Sequence, residues 1–274
     1  MTRTAYESFE KPDRETWLKV NDFTTRSFRD IADGDYIHAR GAFRAHLVPQ
    51  ALWSSLQAIE KYLKCILLLN RVPASNLRHD VGKALKQVES SVPFIVRLSP
   101  SSREVIDLVN QFGQYRYFES CYHTFGLELL QLDLAVWELR RYAQVLDYEI
   151  RTPKGVVGML EQNLELLEHA ESKPHTYRVF GGELEKIIDN RQHPARETLL
   201  WQNARFGKKH RKTVIYAANL QASNSPLSLH PEILDDVLKY VYLPNEAIRV
   251  YGELAREQAA EKEVGNKGTE AAAG

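Results

Sequence analysis

Three times in this chain an arginine is followed, after four to six residues, by a histidine: Arg40 and His46, Arg116 and His123, Arg205 and His210. A histidine titrating near neutrality can move protons, and an arginine can hold charge growing on phosphate oxygens. Together they have the parts for phosphoryl chemistry without a metal. With 21 arginines and nine histidines, roughly two such pairs arise by chance, so counting favours none of the three. The one strongly basic run, Arg205 to Lys212, sets Phe206 beside cations. Lys208, Lys209, Arg211 and Lys212 could grip single-stranded RNA by charge, with Phe206 stacking on a base. A solvated turn is the plain alternative.

Other polar groups have two readings each. His79-Asp80 either joins a polar site near Arg71 and Arg78 or starts a helix, with Asp80 as cap. Glu60, Lys61 and Lys64 either line a charged cleft or form a solvated or salt-bridged face. Trp201-Gln202-Asn203 reads as a buried anchor more than as a ligand box. No metal constellation is legible: there is no His-Glu-x-x-His, no Cys-x-x-Cys and no Gly-x-x-x-x-Gly-Lys loop. Cofactors are not expected. The Gly-Ser opening with paired aspartates of a nucleotidyltransferase is missing too.

The elements that must carry these residues are helical. From Gln50 to Asn70, Leu52, Leu56, Ile59, Leu63 and Ile66 recur at helical spacing, and Arg71-Val72-Pro73 ends the run. A first helix spans Trp17 to Ile31, and Asp33-Gly34-Asp35 reads as a break, with Asp35 capping a short helix from Tyr36. Asp80 can cap a helix running to Val92-Pro93, and Ser101 to Glu104 has a capping-box pattern. The longest signal runs from Tyr122 to Tyr148. One stripe is Phe125, Leu129, Leu132, Val136, Leu139, Ala143 and Leu146; a second is Leu127, Leu130, Leu134 and Trp137. At about 100° per residue they lie on nearly opposite sides, so the helix needs cover on both. A second subunit or the C-terminal half of this chain would supply it.

The Gln57-Ala58-Ile59-Glu60-Lys61-Tyr62-Leu63-Lys64 helix, the later His79-Asp80 and the still later Tyr115-Arg116-Tyr117 together resemble the HEPN superfamily. The resemblance covers about residues 35–148. It implies a HEPN-type up-and-down helical bundle. It also implies a metal-independent endoribonuclease, a toxin or defence component, working as a homodimer. Arg116 and His123 match the family's catalytic pair, the arginine clamping the phosphate and the histidine moving protons. Tyr117 departs from the small polar residue frequent in active members. The resemblance further suggests a separate nucleotidyltransferase or an antitoxin as partner. Two readings stand beside it: a non-catalytic HEPN protein binding a nucleotide or protein, and a helical scaffold whose second stripe is covered by its own C-terminal half.

The expected fold class is therefore all-α: a bundle over 1–150, a mainly helical extension over 151–258 packing on it, and a disordered tail over 259–274. Helices are expected at Val157–Ala170, Glu183–Asn190, Pro194–Asn203 and Pro231–Tyr242, with a short strand at Thr213–Tyr216. Hydrophobic residues make up 43% of the chain, enough for a real core. The 36 basic and 36 acidic residues cancel, which excludes a coat or histone-like nucleic-acid protein. Cys65, among Ile66, Leu67 and Leu68, reads as a small buried apolar residue, and two isolated cysteines give no disulfide framework. No apolar run approaches the roughly 20 residues of a membrane span, and the first residues have no signal-peptide pattern. A cytoplasmic location is the expectation.

Overall fold

The computed structural model describes residues 14–272 except 78, 114–121, 125–126, 208–210, 212 and 215–220, with backbone alone at 122–124, 221–223 and 262–272. Helix accounts for 67% of it and strand for 4%, so the fold is all-α. The first half runs α1 (Arg14–Thr24), α2 (Asp30–Arg44), α3 (Val48–Leu69), α4 (Val81–Ser91), α5 (Pro100–Phe112), β1 (Tyr122–Thr124) and α6 (Glu128–Arg140). The second half runs β2 (Glu149–Thr152), β3 (Gly155–Gly158), α7 (Leu160–Ala170), α8 (Glu183–Asp189), α9 (Arg196–Leu200), β4 (Gln221–Ser223), α10 (Pro226–Leu229), α11 (Leu234–Val237) and α12 (Asn245–Ala272).

The centre is α3, packed by α1, α2, α4, α5 and α6. Its expected stripe is the core itself: Leu56, Ile59, Leu63 and Ile66 are fully buried. The chain leaves α5 so close to α3 that a Cβ at Gly113 would stand 2.8 Å from the Leu52 carbonyl oxygen, so only glycine fits there. Asp80 caps α4 by accepting from the Lys83 N–H at 2.9 Å. The cap of α5 is Ser99, two residues ahead of the expected one, accepting from the Ser102 N–H at 3.3 Å.

Asp33-Gly34-Asp35 does not break the helix. The chain stays helical from α1 to α2 through a π-turn at Thr25–Arg29. In an unbroken α-helix Thr24 and Asp33 would lie roughly 180° apart; the turn absorbs one residue and brings them to within about 80°. Both are fully buried. The tertiary demand for a carboxylate inside the protein outweighs the roughly 1 kcal/mol that Gly34 costs a helix.

The expected Tyr122–Tyr148 helix is shorter at both ends. Tyr122–Thr124 is an edge strand, antiparallel to β4 with His123 opposite Ala222. After Arg140 the chain turns, and Ala143 and Leu146 still reach the core. A hairpin of β2 and β3 follows, closing at Pro153-Lys154 with Gly155 at φ 129°. Its signal, β-branched residues flanking a turn, was present at Ile150, Thr152, Val156 and Val157.

Beyond the hairpin, Leu167, Leu184, Ile187, Leu199 and Phe206 join the bundle's own core. Leu227, Leu234, Leu243, Ala247 and Tyr251 form a second, small cluster. Thr213 and Val214 are not strand, and residues 215 and 216 of the expected strand lie outside the described residues. Helix α12 continues through the stretch for which composition predicts disorder, in keeping with the high helix propensity of its Ala, Glu and Lys. Among the described residues no helix is long and apolar enough to cross a membrane. Cys65 is buried, and burial pushes its thiol pKa up to about 12; Cys121 lies outside the described residues.

The shared core generates a prediction. A chain ending at Tyr148 should lose its cooperative thermal unfolding transition by circular dichroism, because its buried arginines then lack partners from the second half. A sharp transition in that fragment near the full-length midpoint contradicts this.

Candidate functional site

The most concentrated chemistry in the molecule is buried. Arg140, at the end of α6, donates to Asp33 Oδ1 and Oδ2 at 2.7 and 2.8 Å, and to Glu185 Oε1 and Oε2 at 2.8 and 2.7 Å. Tyr62 adds its hydroxyl to Asp33 at 2.5 Å, and the Leu184 and Val179 N–H groups complete the two carboxylates. Four of the five guanidinium donors are used. Gly182 lies against the pair: a Cβ there would stand 2.2 Å from Glu185 Oε2. Burial opposes the Arg140 charge, but Asp33 and Glu185 outweigh it and hold its pKa well above the ordinary arginine value. Burial likewise works against the Glu185 carboxylate, yet the Arg140 charge and hydrogen bonds, with the Val179 N–H, hold it below its ordinary range.

A second arginine is buried about two helical turns further along α2 from Asp33. Arg40, 1% exposed, pairs with Asp133 of α6, donates from Nε to the Thr198 carbonyl at 3.0 Å and also bonds the Trp201 carbonyl. The Tyr36 hydroxyl donates to Asp133 at 2.6 Å and accepts from Asn203 at 2.9 Å. The side chains of both clusters are almost wholly buried, which suits a structural role. Arg40 is thereby removed as a catalytic partner of His46.

Of the sequence-derived candidates, Arg116, Lys208, Lys209, Lys212 and His210 lie outside the described residues, as does the Tyr115–Tyr117 segment. His123 is described by its backbone, in β1 and not in the helix that begins at Glu128. Arg211 is exposed and donates to Gln202 Oε1 at 3.2 Å. Phe206 is not a stacking platform: it is buried, 5.6 Å from the Tyr36 ring. The core captured the run's one aromatic because the turn before it is clamped, Asn203 Oδ1 accepting from the Arg205 and Phe206 N–H groups.

The second stripe of α6 is covered unevenly. Trp137 is buried, with the Arg141 guanidinium 4.5 Å and that of Arg205 5.9 Å from its ring. Leu130 and Leu134 are half-buried and Leu127 is 49% exposed. The chain's own second half thus supplies cover at the Trp137 end, where a second subunit was the other possibility.

His79-Asp80 is a helix start with a further feature. His79 Nδ1 lies 2.9 Å from Glu60 Oε2, and Lys64 donates to Glu60 Oε1 at 2.5 Å. Glu60 is buried, so α3's charged residues form a salt-bridge network more than a solvated face. Arg71 instead turns to α1, donating to Asn21 Oδ1 at 2.8 Å and lying over Trp17. Trp201, expected as a buried anchor, is half-buried and lines a surface groove. Among the described residues no group of three His, Cys, Asp or Glu side chains could hold a metal ion.

Two outcomes follow from the buried network. Arg140→Met leaves two carboxylates unpaired inside the protein and should cost about 3–5 kcal/mol in urea unfolding, whereas Arg178→Ala, in an exposed pair with Asp189, should cost under about 1 kcal/mol. Because the folded Glu185 pKa lies below its unfolded value of 4.5, its contribution is full above that pH and is lost as pH falls through the lower folded value. Glu185→Gln should therefore flatten the acid limb of the stability–pH curve; an unchanged limb would rule this out. No known family model, no curated protein and no solved structure was found to match the chain.

Proposed function

We propose that this chain is a metal-independent endoribonuclease of HEPN type, a toxin or defence component, with Arg116 and His123 at the reacting phosphate. The reading rests on the resemblance of the α3 helix, His79-Asp80 and Arg116-Tyr117 to that superfamily. The observation that carries it is the β1–β4 ladder, which ties His123 to the segment following the basic run. On this reading the His123 ring and the charge of the basic run act on the same phosphate chain. In the reaction the RNA 2′-hydroxyl oxygen bonds to phosphorus and the bond to the 5′-oxygen breaks. His123 takes the 2′-hydroxyl proton and returns one to the leaving oxygen, while Arg116 balances charge on the non-bridging oxygens. Lys208, Lys209, Arg211 and Lys212 would hold the strand. A homodimer, an antitoxin and a separate nucleotidyltransferase belong to the same proposal.

A second reading, a non-catalytic HEPN protein that binds a nucleotide or a protein, draws support from α6. Trp137 already has cover within the chain, which weakens the case for a catalytic dimer seam along that helix.

The test is cleavage of single-stranded RNA in EDTA. The wild-type chain should cleave, and His123→Ala and Arg116→Ala should each lower the rate by about a hundredfold or more with circular dichroism unchanged. Cleavage that persists in a clean His123→Ala preparation sinks the catalytic reading, and solution mass decides between dimer and monomer.

A further inference from the structure

A groove of about 480 Å³ opens on the surface around α9, lined by Arg191, His193, Arg196, Glu197 and Trp201. That volume lies within the usual range for small-ligand sites, roughly 300–1,000 Å³. Its donors outnumber its acceptors. Arg191 is exposed and has no partner among the described residues. Arg196 spends Nε on the Ile188 carbonyl at 3.0 Å, which leaves its two terminal nitrogens. His193 Nδ1 accepts from the Ala195 N–H at 3.2 Å, which leaves Nε2 as the ring nitrogen open to a ligand. One carboxylate, Glu197, faces these groups and pairs with Arg44 at 2.9 Å. The Arg44 guanidinium lies 5.2 Å from the centre of the Trp201 ring.

The groove is held stiffly. The Thr198 and Trp201 carbonyls, on the segment that carries the tryptophan, both accept from buried Arg40. The next residue, Gln202, has φ 49°, a left-handed conformation unusual for a side chain of its kind. Asn203 fixes it from behind, donating to the Leu199 carbonyl at 3.0 Å and to Tyr36. A half-buried indole on a turn anchored to the core is a preorganised platform for a planar group.

We propose that this groove binds a nucleoside phosphate, with the base against Trp201, the phosphate on Arg191 and Arg196, and Glu197 accepting from a ribose hydroxyl or a base amine. Cations in excess over one carboxylate select an anion, and the indole selects one that carries a ring. The site uses neither Arg116 nor His123, and the inference stands whether or not those residues cleave RNA. The ligand is either a free nucleotide or a unit of a single strand.

Calorimetry on the full chain with AMP, adenosine, inorganic phosphate and a six-nucleotide oligoadenylate tests it. AMP or the oligonucleotide should bind below about 1 mM, with adenosine and phosphate each at least about tenfold weaker. Arg191→Glu, an exposed change, should weaken AMP or oligonucleotide binding by about tenfold or more, and Trp201→Leu likewise if it folds. AMP has no internucleotide phosphodiester to cleave, so the dependence of its binding on Arg191 separates this site from the proposed catalytic one. An oligonucleotide tighter than AMP by about tenfold identifies the source as a strand, and equal affinities identify a free nucleotide. Absence of binding by both, or binding indifferent to Arg191→Glu, overturns the proposal. So does equal competition by a glutamate-rich hexapeptide.

Discussion

The burial of Arg140 between Asp33 and Glu185 constrains everything else in this molecule. Moving a guanidinium and two carboxylates out of water costs several kcal/mol per ion, and only near-complete hydrogen bonding offsets it. The partners come from α2, α6 and α8, so the site cannot be satisfied until the second half of the chain has docked on the first. Arg40 repeats the arrangement with Asp133 and the carbonyls of Thr198 and Trp201. The two arginines act as pins through the seam between bundle and extension. They also set its register, because a guanidinium fork accepts its partners in few geometries.

That seam accounts for α6. Its residues are apolar or paired on nearly every side because the helix has neighbours on nearly every side: α3 and α5 toward the core, α2 alongside. Arg205 comes over Trp137 from the extension. A helix of this kind has no single solvent face, and the two stripes in its sequence are both consequences of enclosure. Leu127 alone of the second stripe is open, and it lies at the end next to β1.

Neither proposed site draws its chemistry from this buried network. Loops and turns carry recognition because the scaffold fixes where they leave it. The β1–β4 ladder fastens His123's strand to the C-terminal segment, and the turn at Trp201 and Gln202 is held from inside by Arg40. The same buried charge that closes the core also stiffens the groove. The proposed RNA chemistry and the proposed nucleotide groove use different residues.

The local sequence determined what depends on near neighbours. The α3 stripe, its end at Arg71-Val72-Pro73, the Asp80 cap, the buried Cys65 and the all-α class are set by spacing, propensity and cap chemistry, which act over a few residues. Tertiary structure decided the rest. Asp33-Gly34-Asp35 looks like a turn, because nothing nearby reveals Arg140, 107 residues away, as its partner. Tyr122–Thr124 looks like helix, because its pairing strand begins near residue 221. Phe206 looks like a stacking ring until Tyr36 claims it, and Trp201 looks like core until the turn around it opens to solvent. In each case the deciding interaction joins residues far apart in the chain, and a polar residue's role depends on whether a distant partner arrives to neutralise it.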